Sequence, residues 1–494
     1  MNQPVELPQV RARIEPILPK HRDLYYDGKW QKPRGGYQDT LNPATGESLG
    51  ACAEANAQDV DAAVQAAHCA FKAWRRVKPL ERAALMKKVA AVLRANAEEL
   101  AMLDAANCGN PAREMMRDAG TAAAQWDFFA GLVTELKGDT IPMGEDVVNL
   151  SVREPFGVCA RIVAYNHPLM FTAAKAAPAI AAGNSVIMKP PYQAPLSAYR
   201  FMELTEGILP PGVLNILTCG KEGSEALVTH PQVPRVSLIG SVPTGRAVAR
   251  AAADRLKHVS LELGGKNACI IFPDADLEKA ARGAVGGMNF SWCGQSCGST
   301  SRLFIHESVY DRVLDGVLKH VGNHKPGIPT EMDTTMGAIV SRAQMEKILS
   351  YIEIGKKEGA ALACGGKRPD DPKLAGGFFV EPTVFTGVTQ KMRIANEEIF
   401  GPVLSVLKWK NEEEMFEQVN AVEHGLTGSV WTTSLATAHR AAGRIESGFI
   451  WVNGAGPHFL GVSFGGYKQS GIGREESYDE LLSFTQSKNI HITL

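Results

Sequence analysis

The chain has 494 residues, 45% hydrophobic and 21% charged, a composition that excludes disorder and is long enough for two or three domains. Lys and Arg total 52 against 53 Asp and Glu, and this net charge of -1 leaves no basic excess for tracking nucleic acid or an anionic membrane surface. Nine cysteines, scattered from Cys52 to Cys364, are unlike a secreted disulfide framework and point to a reducing, cytoplasmic setting.

The start, MNQPVELPQVRARIEPILPK, mixes charges and prolines where a secretory signal needs a continuous apolar core, so no export is expected. Asn56 then precedes Val60, Val64, Ala67, Phe71 and Trp74 at helical spacing, with Asp59 and Asp61 near the positive end of the helix dipole. A second helix is expected to open at Pro79 and run through Leu85, Val89, Val92 and Leu93 to the Gly109-Asn110-Pro111 breaker. Leu132 to Glu154 and, at the far end, Asp479 to Leu494 alternate polar and apolar residues; they are expected to pair with each other or with another subunit.

From Pro155 short β-rich runs alternate with helical ones: VCARIVAY, an Ala-rich helix, NSVIMKP, a helix through Leu204, VLNILTC, a helix near Leu227, RVSLIGS, and a helix from Thr244. That alternation predicts an α/β, doubly wound parallel sheet with a ligand crevice at the strand carboxyl ends. The most apolar segment, Ala173 to Met188, is interrupted by Lys175, Pro178, Gly183 and Asn184 and falls short of a membrane span. After Gly265 a second α/β block is expected, with NACIIFPDAD, SRLFIHES, GFFVEPTVF, PVLSVLKW, GSVWTT and FIWVN as its strands.

Candidate chemistry begins with SWCGQSCGSTSRL, which holds Cys293 and Cys297 four positions apart. A structural zinc site would want a second ligand pair, and the twelve histidines are scattered, so no metal is expected. A disulfide across four residues would be strained and reducible. A nucleophile explains the surroundings better, because Gly294, Ser296, Gly298 and Ser299 let a substrate approach sulfur; most lone thiols are inert, so context has to decide. Glu262 ends a strand-like run before Gly264 and Gly265, where paired glycines suggest close approach of a ligand and a carboxylate can act as a base. Gly240 and Gly245 have P-loop spacing, but Arg246-Ala247 replaces Lys-Ser/Thr, which leaves a helix N-terminus able to hold a diphosphate.

In their order these motifs resemble the aldehyde dehydrogenase superfamily, non-acylating type, from about Leu24 to Leu494: YYDGKW, LNPATGE, PFGV, AYNHPL, NSVIMKP, LIGSVPTG, LELGGK, GQSC, EEIFGPV, WVN and SFGGYKQSGIGRE. The resemblance implies two doubly wound parallel-sheet domains plus a small β oligomerisation element. Residues 1–131 and 155–265 would form the dinucleotide-binding domain, 266–463 the catalytic domain, and 132–154 with 479–494 the oligomerisation element of a homodimer or homotetramer.

By match to the family motifs, Cys297 is the implied nucleophile, Asn166 with the Cys297 N–H the oxyanion hole, Glu262 the activator of water, and Lys175 a lysine assisting proton movement or else a solvated helix lysine. Lys189, Gly240, Ser241, Gly245, Leu263, Gly264, Glu398, Phe400 and Tyr165 are the implied cofactor contacts. The substrate-tunnel positions are His167, Phe171, Ala174, Trp292, Ser296, His458, Phe459 and Phe464. Where many NAD-preferring members carry Glu, this chain has Tyr192, which removes a charge that would repel a 2'-phosphate; NAD is the expected cofactor, with room for NADP. Ala174, where a large aromatic is common, implies a roomy tunnel and a bulky apolar or aromatic aldehyde, with a cationic, betaine-type aldehyde on Trp292 as the alternative. Three rivals stand against this reading. A cysteine hydrolase lacks its signature around Cys297, a CoA-acylating enzyme would not need Glu262, and a non-catalytic binding or structural member would be free to lose either residue.

Overall fold

Asn56 caps the helix Ala57–Trp74 by accepting from the N–H groups of Gln58 and Asp59, while the Asp59 carboxylate takes the Asn56 N–H in return. This computed structural model describes residues 13–494; the first twelve, which carry part of the start and of the 1–131 segment discussed above, lie outside it. The long second helix is in fact two, Pro79–Ala95 and Ala97–Cys108. They part at Asn96, whose side-chain amide donates to Val92 O at 2.8 Å and competes with the helical ladder. Gly109, with φ 90°, then ends the second helix in the left-handed region.

The first sheet runs, edge to edge, Lys29–Gln31, Leu24–Tyr26, Leu214–Ile216, Ser185–Lys189, Val158–Ile162, Arg235–Ile239, His258–Glu262 and Gly471–Ile472. Its five central strands are mutually parallel, and four of them, Leu214–Ile216, Ser185–Lys189, Val158–Ile162 and Arg235–Ile239, are buried along their whole length, as helices on both faces require. Strand order reverses beside Val158–Ile162, so the loops after Ile162 and Ile239 diverge and open a crevice there. The Ala-rich helix between the first two of these strands opens instead as a π-helical turn, Met170–Ala174, followed by a short helix Ala177–Ala181 that carries Pro178 in its first turn.

The second sheet is ordered Ala361–Cys364, Thr383–Thr386, Val403–Trp409, Arg302–His306, Ala268–Ile271, Thr427–Trp431 and Phe449–Val452, parallel except for its first strand. Of GFFVEPTVF only Thr383–Thr386 joins it; the residues up to Pro382, which has no N–H to donate, stay outside the ladder. The two outlying segments pair with each other inside one chain: Val147–Pro155 lies antiparallel to Thr485–Thr493 over its whole length, with Thr140–Pro142 on its other side.

Gly471–Ile472 returns to the first sheet beside His258–Glu262 and is followed by Glu475, Glu476 and Glu480. Arg161, 1% exposed, bonds Glu475 at 2.7 Å and Glu480 at 3.0 Å, and its guanidinium also lies over the Phe484 ring. A buried charge stripped of its partner is costly, so Arg161→Met is expected to lower unfolding free energy by about 3–5 kcal/mol, read from denaturant midpoints.

Candidate active site

The carboxyl ends of the first sheet face loops of the second across a cavity of about 960 Å³. Ile162 to Asn166, Lys189, Gly240, Ser241 and Glu262 to Gly264 line it from one side; Cys297, Gln344, Lys347, Glu398 and Phe400 line it from the other. Gly264 lines the cavity, and both glycines also make room for the protein's own groups. A Cβ on Gly264 would fall 2.1 Å from Glu398 Oε2, and one on Gly265 would fall 2.4 Å from Cys297 O. The protein itself occupies that space, and Gly265 N–H donates to Glu398 Oε1 at 2.9 Å. The glycine pair thus sets the Glu398 carboxylate and the cysteine loop against the end of one strand.

Cys297 stands on a tight turn. Asn289, Cys293 and Gly294 all adopt positive φ, and a Cβ on Gly294 would meet Gly401 O at 2.1 Å, so this loop is pressed onto the one carrying Phe400, itself at φ 57°. Asn267 anchors the turn by donating to Cys297 O at 2.7 Å and Ser299 O at 3.0 Å. Cys297 is half-buried, whereas Cys293 is fully buried with its sulfur 3.6 Å from Ala338 O. Burial, then the charges of Glu262 and Glu398, push the Cys297 thiol up to about 12, partly offset by the Gly298 and Cys297 N–H groups facing the sulfur.

Glu262 is 7% exposed, and neither carboxylate oxygen has a hydrogen-bond partner. Burial first, and Glu475 next, raise its pKa well above the usual carboxylate range, with Lys175 opposing. Lys175 does not sit in solvent: it is 1% exposed, with its ammonium 2.9 Å from Glu475 and 3.8 Å from Glu476. Burial would lower its pKa, but Glu475, Glu480 and Glu476 outweigh that and hold it above its ordinary value. Burial also works against the Glu476 carboxylate, yet a hydrogen bond from His458 and the Lys175 ammonium keep its pKa below the usual range. Glu475 and Glu476 were missed in the sequence, although they close the SGIGREE run; nothing local in that run marks them as partners of Lys175.

Of the expected cofactor contacts, Lys189, Gly240, Ser241, Leu263, Gly264, Glu398, Phe400 and Tyr165 all line the cavity. Gly245 does not; its missing side chain makes room for Leu263, whose Cδ1 would lie 2.6 Å from a Cβ there. The helix expected from Thr244 begins two residues earlier, as Val242–Ala253, and Ser241 caps it by accepting the Thr244 N–H. Lys189 is buried and makes no ion pair among the described residues, and burial lowers its pKa. Tyr192, Cys219 and Lys221 join the same wall.

None of the expected tunnel positions is among the residues lining the cavity. His167 follows Asn166, with its ring 5.0 Å from Phe171 and 5.8 Å from Trp292. His458 stacks on Phe464 at 4.1 Å. Ala174 is buried in the core around the π-helical turn, Ser296 is half-buried, and Phe459, 63% exposed, projects at the surface. Asn166 is buried, with its backbone carbonyl held by Asn110 at 2.8 Å.

Fold and site together define a two-sheet α/β oxidoreductase with a thiol and a carboxyl at the floor of its crevice. A family model described as "Aldehyde dehydrogenase family" matches residues 30–490. The aldehyde dehydrogenase tropH of Talaromyces stipitatus is 50% identical, with 97% of this chain and 95% of the relative covered. A betaine aldehyde dehydrogenase of Mesorhizobium japonicum is 40% identical over 95% and 96%. A solved structure of the indole-3-acetaldehyde dehydrogenase AldA of P. syringae, a mutant in complex with NAD+ and IAA, superposes with a TM-score of 0.95 at 36% identity, covering 99% of this chain and 100% of that one. The chain belongs to the aldehyde dehydrogenase family. No helix among the described residues is long and apolar enough to cross a membrane.

Proposed function

We propose that this enzyme oxidises a bulky apolar or aromatic aldehyde to its carboxylic acid, with Cys297 as nucleophile and Glu262 as the base that delivers water. The observation that carries the reading is that Cys297, Glu262 and Asn166 line one cavity with Lys189, Glu398 and Phe400. The thiolate of Cys297 adds to the aldehyde carbon, and the Asn166 amide and Cys297 N–H hold the oxyanion. NAD, when bound, supplies the acceptor for the two electrons and the hydrogen leaving that carbon. Glu262 then takes a proton from water as the water attacks the resulting thioester, and Lys175 with Glu475 carries that proton away.

The donor set fits a dinucleotide. Lys189 is a buried cation without an ionic partner among the described residues, suited to ribose oxygens, and the Ser241-capped helix N-terminus offers N–H groups to a diphosphate. Tyr192 carries no charge against a 2'-phosphate, so NADP is accepted beside NAD. Aromatic substrates are favoured by the rings of Phe171, Trp292 and Phe464, and by the likeness to an indole-3-acetaldehyde dehydrogenase. The second reading, a betaine-type cationic aldehyde, draws on the 40% identical betaine aldehyde dehydrogenase. Thr485–Thr493 leaves one strand edge unpaired, which suits assembly as a homodimer or homotetramer.

The test is absorbance at 340 nm with NAD or NADP over aromatic, aliphatic and cationic aldehydes; silence across all of them sinks the proposal. Asn166→Ala is expected to lower kcat by about 10²–10³-fold while leaving the fold intact, the loss seen when one oxyanion donor is removed.

A further inference from the structure

Within the proposed reading, on which this inference rests, the tunnel carries a polar feature that aldehyde oxidation does not use. His167 Nδ1 lies 2.7 Å from the Asp118 carboxylate, and Asp118 is 5% exposed. A carboxylate only accepts, so Nδ1 carries a proton toward Asp118, and in the singly protonated ring the lone pair lies on Nε2. That nitrogen takes no hydrogen bond from the described residues. The ring is held beside Phe171 and Trp292, one residue from Asn166, which lines the cavity together with Cys297. His458 makes a similar contact, with Nδ1 3.3 Å from Glu476.

We infer that His167, oriented by Asp118, is a specificity residue that accepts a hydrogen bond from a hydroxyl on the substrate, so that the preferred substrates are phenolic aromatic aldehydes. A quaternary ammonium has no proton to give to Nε2, and a carboxylate would face a lone pair. An aromatic ring bearing a hydroxyl satisfies both the ring-lined wall and the nitrogen. Asp118 is a positioning residue, because it fixes the tautomer without touching the substrate.

The experiment compares kcat/KM for meta- and para-hydroxybenzaldehyde with benzaldehyde and with the methoxy counterparts. In the wild type the better hydroxylated isomer is expected to lead both controls by about tenfold or more, because a polar group in the site goes unpaired when the hydroxyl is missing. His167→Phe is expected to bring that ratio close to one, Asp118→Asn to lower it, and His167→Gln, which keeps an acceptor, to retain part of it. Thermal melts accompany each variant; if His167→Phe does not fold, the wild-type and His167→Gln ratios decide. Wild-type turnover without a hydroxyl preference, a ratio unchanged in His167→Phe, or higher kcat/KM for carboxybenzaldehyde or betaine aldehyde would overturn the inference alone. A wild type inert toward every aldehyde overturns the proposed function and this inference with it.

Discussion

Cys297→Ala is expected to abolish NADH formation, lowering kcat/KM by about 10⁴-fold or more, the scale of loss when a covalent nucleophile is removed. Cys293→Ala is expected to leave turnover nearly intact. The two thiols stand four residues apart in the same glycine-rich turn, yet only Cys297 lines the cavity. Cys293 is packed against the backbone of Ala338, and burial pushes its thiol up to about 12 with no nearby carboxylate to act as its base. Removing its sulfur should cost about 1 kcal/mol of stability, as for other small deletions from a core. Rates at 340 nm together with iodoacetamide labelling decide the matter, and the reverse pattern would defeat the assignment.

The pH dependence of the wild type follows from the same environment. Burial and the charges of Glu262 and Glu398 raise the Cys297 thiol above its ordinary range, and burial with Glu475 raises the Glu262 carboxyl above its own. Both act only after losing a proton, so kcat/KM should climb as pH rises through neutrality into the alkaline range. A rate that instead falls over that interval would show that neither group acts as assigned.

Glu262→Gln carries the second large effect. The amide keeps the volume but cannot take a proton, so steady-state turnover is expected to drop by about 10²–10⁴-fold. Because thioester formation precedes hydrolysis, acyl-enzyme should accumulate, visible by intact mass spectrometry as one acyl group on Cys297 after acid quench. Unchanged turnover would remove Glu262 from the reaction. A comparable loss without any adduct would move its role forward, to deprotonation of the thiol.

Much of this site could be read along the chain because its parts lie at the ends of regular elements. Strands of five residues between helical runs, each ending in a short motif, are local patterns, and Lys189, Gly240 and Glu262 fall at strand ends for that reason. The break at Asn96 was not legible, since a single side-chain bond to Val92 outweighs an otherwise continuous helical pattern. Nor was the purpose of Gly264 and Gly265, whose neighbours arrive from residues 297 and 398.

By itself, then, the sequence determined the alternation of strands and helices that gives the parallel sheets, which follows from periodicity, while the choice of Cys297 over Cys293 as the proposed nucleophile came from the resemblance of a short motif. Only the tertiary structure decided that Lys175 is a buried ammonium held by Glu475 and Glu476, and that Arg161 reaches Glu475 and Glu480 more than 300 positions away. It alone set His167 on Asp118. The physical reason is that a charge's partner is chosen by which chain segments pack together once water is excluded, and that choice leaves no periodic trace in either segment.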